Sequence, residues 1–257
     1  MNDFKTVAIS AAKAAGDQIQ ELAKEEITFK MKGPQDIQVE ADLVAEKIIK
    51  DKIRENFSSH SILSEEAGED VKEKEFLWIV DPLDGTINFA RHIEEYCVSI
   101  ALCHNDEIIL GVIYQPTLDK LFWAEKGKGA YLNDRKISVA TTSKLIDTMG
   151  AMDITSQLGA RERNMNIFSK LLPLVRHMRI FGSSALHMAR LAQGQIDIYF
   201  KMHYNYWDYA AGIIIVQEAG GIVTDAEGQP VSRDSETIVA GTAVIHPILL
   251  EIIKKTK

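Results

Sequence analysis

The chain has 257 residues, with 29 Lys and Arg against 37 Asp and Glu, and a formal net charge of -8. Its 46% hydrophobic and 26% charged residues are the mixture of a globular protein that can bury its own core without staples. The acidic balance argues against nucleic acid, whose binders present a basic face, and no apolar run approaches the ~18 residues of a membrane span.

In chain order, Phe4, Val7, Ala8, Ala11, Ala12, Ala15, Ile19 and Leu22 recur at three- and four-residue steps and predict a long first helix. That amphipathic start is unlike the apolar block of a signal peptide. Lys30-Met31-Lys32-Gly33-Pro34 breaks the pattern, and Val44, Ala45, Ile48, Ile49, Ile53 and Phe57 mark a second helix with Asp42 in its first turn. Ser61-Ile62-Leu63 reads as a short strand leading into the acidic loop Ser64-Glu65-Glu66. Most of that acidic run, continuing through Glu69, Asp70, Glu73 and Glu75, reads as a solvated face. Glu65 stands apart because it directly follows an apolar strand. Residues 76–80 form a continuous apolar run, the pattern of a strand covered on both faces, and this strand is expected to end on Asp81.

Residues 96–122 read as a strand meander with turns at Asn105-Asp106 and Pro116-Thr117-Leu118-Asp119. Cys97 and Cys103 lie in one such strand, about 20 Å apart at ~3.3 Å per residue. A disulfide tolerates about 7 Å, so two unbridged thiols point to a reducing compartment and a cytoplasmic protein. Further on, residues 161–175 and 185–192 carry helical periodicity, and 196–200 look like a strand. Asp208 precedes a helix that Gly220-Gly221 stops, and 247–255 form a short terminal helix. No linker interrupts the chain. The expected fold is mixed α/β (α+β) in layers, one unit with two lobes at about 1–140 and 141–257.

The chemistry concentrates in Trp78-Ile79-Val80-Asp81-Pro82-Leu83-Asp84-Gly85-Thr86-Ile87-Asn88. Two carboxylates at the C-terminal edge of a buried strand can converge on a hard cation. Gly85 lets backbone approach a ligand, and the amides of Gly85 and Thr86 would favour a phosphate if a helix starts there. The competing reading is an ordinary turn with Asp84 as an N-cap. Glu65 and Asp208 would add carboxylates from separate segments, although Asp208 could also be a mere N-cap. An all-oxygen set suits Mg²⁺, which shares its ligands with substrate phosphate. The seven histidines offer no pair at zinc-ligand spacing.

These segments, with Trp207-Asp208-Tyr209-Ala210-Ala211-Gly212 and Glu218-Ala219-Gly220-Gly221, closely resemble the inositol monophosphatase family in order and spacing from Lys32 to Gly221. The resemblance implies a layered αβαβα sandwich of the inositol monophosphatase / fructose-1,6-bisphosphatase type. It implies a homodimer that hydrolyses small phosphomonoesters with two or three Mg²⁺ ions and is inhibited by Li⁺. Carried over by position, Glu65, Asp81 and the carbonyl of Leu83 would hold the first ion, and Asp81, Asp84 and Asp208 the second. Glu65 would help with a looser third. Thr86, backed by Asp42, would orient the attacking water with Glu65. The amides of Gly85 and Thr86 would hold phosphate, and Gly182, Ser183, Ser184 and Ala185 would line the alcohol side.

Three positions depart from the family pattern. Val39 stands where a threonine is frequent, Glu94 where a proline is, and Lys201 where well-known inositol phosphatases place a glutamate that contacts inositol hydroxyls. The lysine opens the substrate to NADP(H) 2′-phosphate or fructose 1,6-bisphosphate, unless it is a solvated side chain paired with Asp197. One rival is a haloacid-dehalogenase-like phosphatase, whose two aspartates are one residue apart, whereas Pro82 and Leu83 intervene here. The other is a regulatory role in which the same fold contacts macromolecules.

Overall fold

The structure, a computed structural model, describes residues 3–33, 36–73 and 75–256. Pro34, the expected helix breaker, lies outside them. Helix α1 (Phe4–Leu22) and helix α2 (Glu40–Asn56) flank an antiparallel hairpin of β1 (Phe29–Gly33) and β2 (Asp36–Val39). Eight strands then form one sheet: β3 (Ser61–Ser64), β4 (Gly68–Asp70), β5 (Phe76–Asp84), β6 (Cys97–His104), β7 (Glu107–Gln115), β8 (Lys120–Glu125), β9 (Gly129–Leu132) and β10 (Arg135–Ile137). Their order is β10-β9-β8-β7-β6-β5-β3-β4, and within it β3 and β5 run parallel. A single turn of helix, α3 (Thr86–Ala90), follows β5. The second sheet holds β11 (Met149–Met152), β12 (His177–Arg179), β13 (Ile198–Lys201), β14 (Ile222–Thr224) and β15 (Ile238–Gly241) in the order β12-β11-β13-β15-β14. Helices α4 (Leu158–Leu171), α5 (Ser184–Ala192), α6 (Tyr206–Glu218) and α7 (His246–Lys254) complete the chain.

Side-chain alternation dictates the layering. On β5, Trp78 and Val80 face the alanine stripe of α1 (Ala8, Ala11, Ala12, Ala15) and Ile49 and Ile53 of α2. Ile79, between them, faces the other way, onto Ala189 of α5 and Ala210 and Ile214 of α6. On β13, Tyr199 joins that same middle layer, whereas Ile198 and Phe200 pack against Ile167 and Leu171 of α4 and Leu249 and Ile253 of α7. The result is α, β, α, β, α. Helix α6 is apolar on all sides because it is sandwiched, as a fully buried helix must be. Its small residues permit the approach: a Cβ on Gly212 would lie 2.5 Å from Met188 Cβ, and one on Gly111 of β7 would lie 2.5 Å from the Ala211 carbonyl. Among the described residues no helix is long and apolar enough to cross a membrane.

Several boundaries differ from expectation. Strand β5 runs on to Asp84 instead of ending on Asp81, because a bulge keeps it paired with β6. Helix α4 spans 158–171 rather than 161–175, since Pro173 has no N–H with which to continue the hydrogen-bond ladder. Strand β13 starts at Ile198, not residue 196. Asp197 is occupied there, accepting the Met149 amide at 2.7 Å. Helix α6 begins at Tyr206, which puts Asp208 inside its first turn rather than at the N-cap.

Candidate active site

The bulge is what makes a site. Along a regular strand, residues three apart point to opposite faces. Here Asp81 pairs with Ser99 and Asp84 with Cys97, so three steps on β5 match two on β6. One extra residue restores both aspartates to the same face, the one that looks into the middle layer. Strand β3 runs parallel to β5 with Ser64 beside Val80, and the Glu65 amide donates to the Val80 carbonyl at 3.2 Å. Glu65 therefore emerges next to Asp81. Asp208 approaches from α6, its carboxylate accepting the Asn205 amide at 3.5 Å. These four acidic residues and Leu83 line a cavity of about 380 Å³ together with Gly85, Thr86, Gly182, Ser184 and Lys201.

Asp84 is held from the far side. It accepts from Ser183 Oγ at 2.6 Å, the Ser184 amide at 3.2 Å and the Ala185 amide at 2.7 Å. These are donors at the start of α5, where the helix dipole also favours negative charge. Ser183 and Ala185, expected on the alcohol side, are thus buried behind Asp84 and do not line the cavity; Ser184 does. Gly85 has φ 98°, and a Cβ there would sit 2.7 Å from the Glu95 carbonyl. Only glycine tolerates that turn without strain. Thr86 Oγ1 donates to the Leu83 carbonyl at 2.9 Å and lies 3.3 Å from Asp42 Oδ1. Asp42 also accepts the Val39 amide at 2.7 Å. Val39 has no acceptor to return, so only one half of that helix cap exists.

On the Glu65 side, the hairpin contributes Lys32, whose Nζ donates to Glu65 Oε1 at 3.0 Å and to Glu66. Glu66, expected in the solvated run, is instead buried, with Gln38 as a second donor. Glu46 of α2 accepts the Ala67 amide at 3.0 Å and pins the same loop. At the opposite end, Lys201 faces the cavity. Its Nζ donates to Ser184 Oγ at 3.1 Å and lies 3.5 Å from Asp208 Oδ2, which disposes of the solvated pair with Asp197. Beneath it, Asp153 Oδ2 accepts from Ser184 Oγ at 3.0 Å and Tyr199 OH at 2.7 Å. His187 Nδ1 lies 3.1 Å from the same carboxylate. Because His187 Nε2 accepts the Phe181 amide at 3.2 Å, its proton sits on the nitrogen facing Asp153.

The electrostatics are those of an overcrowded acidic floor. Burial, reinforced by Glu65, Asp84 and Asp208, pushes Asp81 well above the ordinary carboxylate range. Burial likewise raises Glu65 to about 8, Asp84 to about 6 and Asp42 to about 7. Asp208 also rises through burial, with Lys201 opposing. Burial works against the charge on Lys201, but Tyr209, Asp208, Asp153 and Asp84 outweigh it and raise its pKa. Among the described residues no three His, Cys, Asp or Glu side chains stand at mutual metal-binding distance; Lys32 and Lys201 sit against Glu65 and Asp208 instead. The donor set nevertheless fits a hard divalent cation: oxygen ligands only, four clustered carboxyl groups against two ammonium groups, and a carbonyl alongside.

Comparison with known proteins agrees with this geometry. A sequence model of the inositol monophosphatase family matches residues 1–257. A Thermotoga maritima protein named fructose-1,6-bisphosphatase/inositol-1-monophosphatase is 34% identical over 231 residues, 88% of this chain and 86% of its own. The Nus factor SuhB of Salmonella typhimurium is 35% identical over 254 residues, 97% of this chain and 95% of its own. The crystal structure of the extragenic suppressor protein suhB from Bartonella henselae superposes with a TM-score of 0.94 at 37% identity, covering 98% of both chains. The haloacid-dehalogenase alternative falls with the spacing, the fold and these matches. The chain belongs to the inositol monophosphatase family.

Proposed function

We propose that the chain hydrolyses small phosphomonoesters with Mg²⁺ held by Glu65, Asp81, Asp84, Asp208 and the Leu83 carbonyl. The observation that carries this reading is the β5 bulge, which turns Asp81 and Asp84 to one face beside Glu65 and Asp208. When bound, two or three such ions supply Lewis acidity and positive charge against the phosphoryl oxygens. The chain's own groups do the positioning. Gly85 and Thr86 present amides at the turn where the phosphate would rest. Thr86 Oγ1, with Asp42 behind it, orients a water for in-line attack on phosphorus, and Glu65 accepts that water's proton. The phosphorus–oxygen bond to the alcohol then breaks, the departing alkoxide takes a proton from solvent water, and Glu65 returns the proton it accepted to solvent, which closes the balance. Phosphoryl transfer needs little beyond such positioning and charge neutralisation.

On the alcohol side, Lys201 selects the substrate. An ammonium carries three donors and no acceptor; one goes to Ser184, and the others can serve a ligand once Asp208 is held by an ion. A polyol gains less from it than a second anionic group does. The family makes inositol monophosphate the reference substrate, and fructose 1,6-bisphosphate and NADP(H) 2′-phosphate are the anionic alternatives. A charge-assisted hydrogen bond is worth about 1.5–3 kcal/mol, roughly 10- to 150-fold in preference. Phosphate release across these three substrates, for wild type and Lys201→Glu, tests it: the bis-anionic esters should lead in wild type and lose that lead in the variant. An unchanged ranking removes Lys201 from recognition. A homodimer follows from the family resemblance, and a cytoplasmic location from the unpaired, buried Cys97 and Cys103. The relative named as a Nus factor motivates a second, regulatory reading, checked by pulldown with an Asp84→Asn chain.

A further inference from the structure

A cation already stands beside Asp208. Lys201 reaches it from the end of β13, 3.5 Å from Nζ to Oδ2, with the two side chains only 12% and 15% exposed. The ammonium is fixed rather than adrift. Ser184 Oγ gives its only proton to Asp153, so toward Lys201 it can only accept, at 3.1 Å. The ring of Tyr209 lies 5.7 Å from Nζ on another side. Lys32, at the opposite end of the cavity, is placed differently. It holds Glu66 as well as Glu65 and so keeps a carboxylate partner if Glu65 turns away. Among the described residues, Asp208 is the one carboxylate within ion-pair distance of Lys201.

We propose that Lys201 is a tethered competitor for the cation at the Asp208 end of the site. It neutralises Asp208 in the metal-free chain and must withdraw toward the alcohol side before a divalent ion can use that carboxylate. The two positive charges repel at such short range, and the burial that shields Asp208 from solvent also shields them from screening by salt. Weak, displaceable binding results at that end, while the Glu65–Asp81 end is largely unaffected. This rests on the reading of the carboxylates as metal ligands.

The test is Mn²⁺ binding to the isolated chain, read as free Mn²⁺ by electron paramagnetic resonance, with no substrate present. Wild type is expected to show a tighter and a weaker class of site. In Lys201→Gln and Lys201→Met the weaker class should tighten about 10-fold or more. In Lys201→Arg, which keeps the charge, it should not tighten. A second readout guards against misfolding: without metal the Gln variant should melt below wild type, and its gain in melting temperature on adding Mn²⁺ should be larger. Equal Mn²⁺ affinities in wild type and both neutral variants overturn the competition alone. No Mn²⁺ binding to any of the four chains overturns the competition and the metal reading together.

Discussion

At the scale of single residues, each group in the site has a distinguishable signature. Asp84 is buried, held by three donors from the start of α5, and faces the other carboxylates. Asp84→Asn keeps the shape and removes the charge, so kcat should fall at least about 100-fold, the scale of losing one stabiliser in a preorganised site; wild-type-like turnover excludes Asp84 as a ligand. Thr86→Ala acts on the water instead. General-base assistance typically contributes about 10²–10⁴-fold, and the hydroxyl points at Leu83 and Asp42 rather than at the alcohol side. Steady-state kinetics should therefore show a large loss in kcat with little change in KM, and a pure KM effect contradicts the role. Asp81 and Asp84 are legible because they cluster in one short motif, Glu65 because it follows an apolar strand, and Asp208 because it precedes an apolar helix. Asp153, His187, Glu46 and the burial of Glu66 are not, since their partners lie far away in sequence and nothing local marks them. Lys201 was conspicuous only against a family pattern, and its contact with Asp208 belongs to the folded chain.

Among elements, periodicity located the helices and the meander, and it missed what depends on pairing. No pattern within residues 76–88 announces that Asp81 and Asp84 stay in the ladder with one residue extruded. The register of β6, a separate strand, decides it. The start of α6 at Tyr206 is a different case, set locally by the Asp208 carboxylate accepting the Asn205 amide three residues before it. The aromatic cluster under β3 and β5 supplies a pH test. His60 stacks between Phe57 and Phe76 and accepts the Trp78 indole N–H on Nδ1 at 3.1 Å. Burial pulls its pKa below the ordinary 6.5, so the unfolded chain takes up the proton first as the solution acidifies. The stabilisation from neutral His60 is complete above pH ~6.5 and is lost as pH falls through the lowered folded value. Melting temperature should accordingly drop more steeply from pH 7 to pH 5 in wild type than in His60→Gln. Parallel curves contradict the assignment.

For the whole molecule, the middle layer joins the two sheets: Ile79, Ala101 and Ile113 of the first and Tyr199 and Ala240 of the second pack on α5 and α6. Composition foretold a self-sufficient core and alternation foretold layers; which helices lie between the sheets depends on long-range packing that no window of sequence contains. The site draws on that junction, taking Asp81 and Asp84 from the first sheet, Glu65 from the turn just after β3, Asp208 from α6 and Lys201 from the second sheet. Family resemblance predicts that millimolar Li⁺ inhibits uncompetitively with respect to substrate, by entering after turnover. A purely competitive pattern argues against that mechanism. Whether this acidic floor works through a divalent cation is measured most directly as phosphate release by chelator-treated protein before and after Mg²⁺ is added back. No release is expected without the ion and saturable recovery with it, whereas equal turnover in the two states contradicts metal dependence.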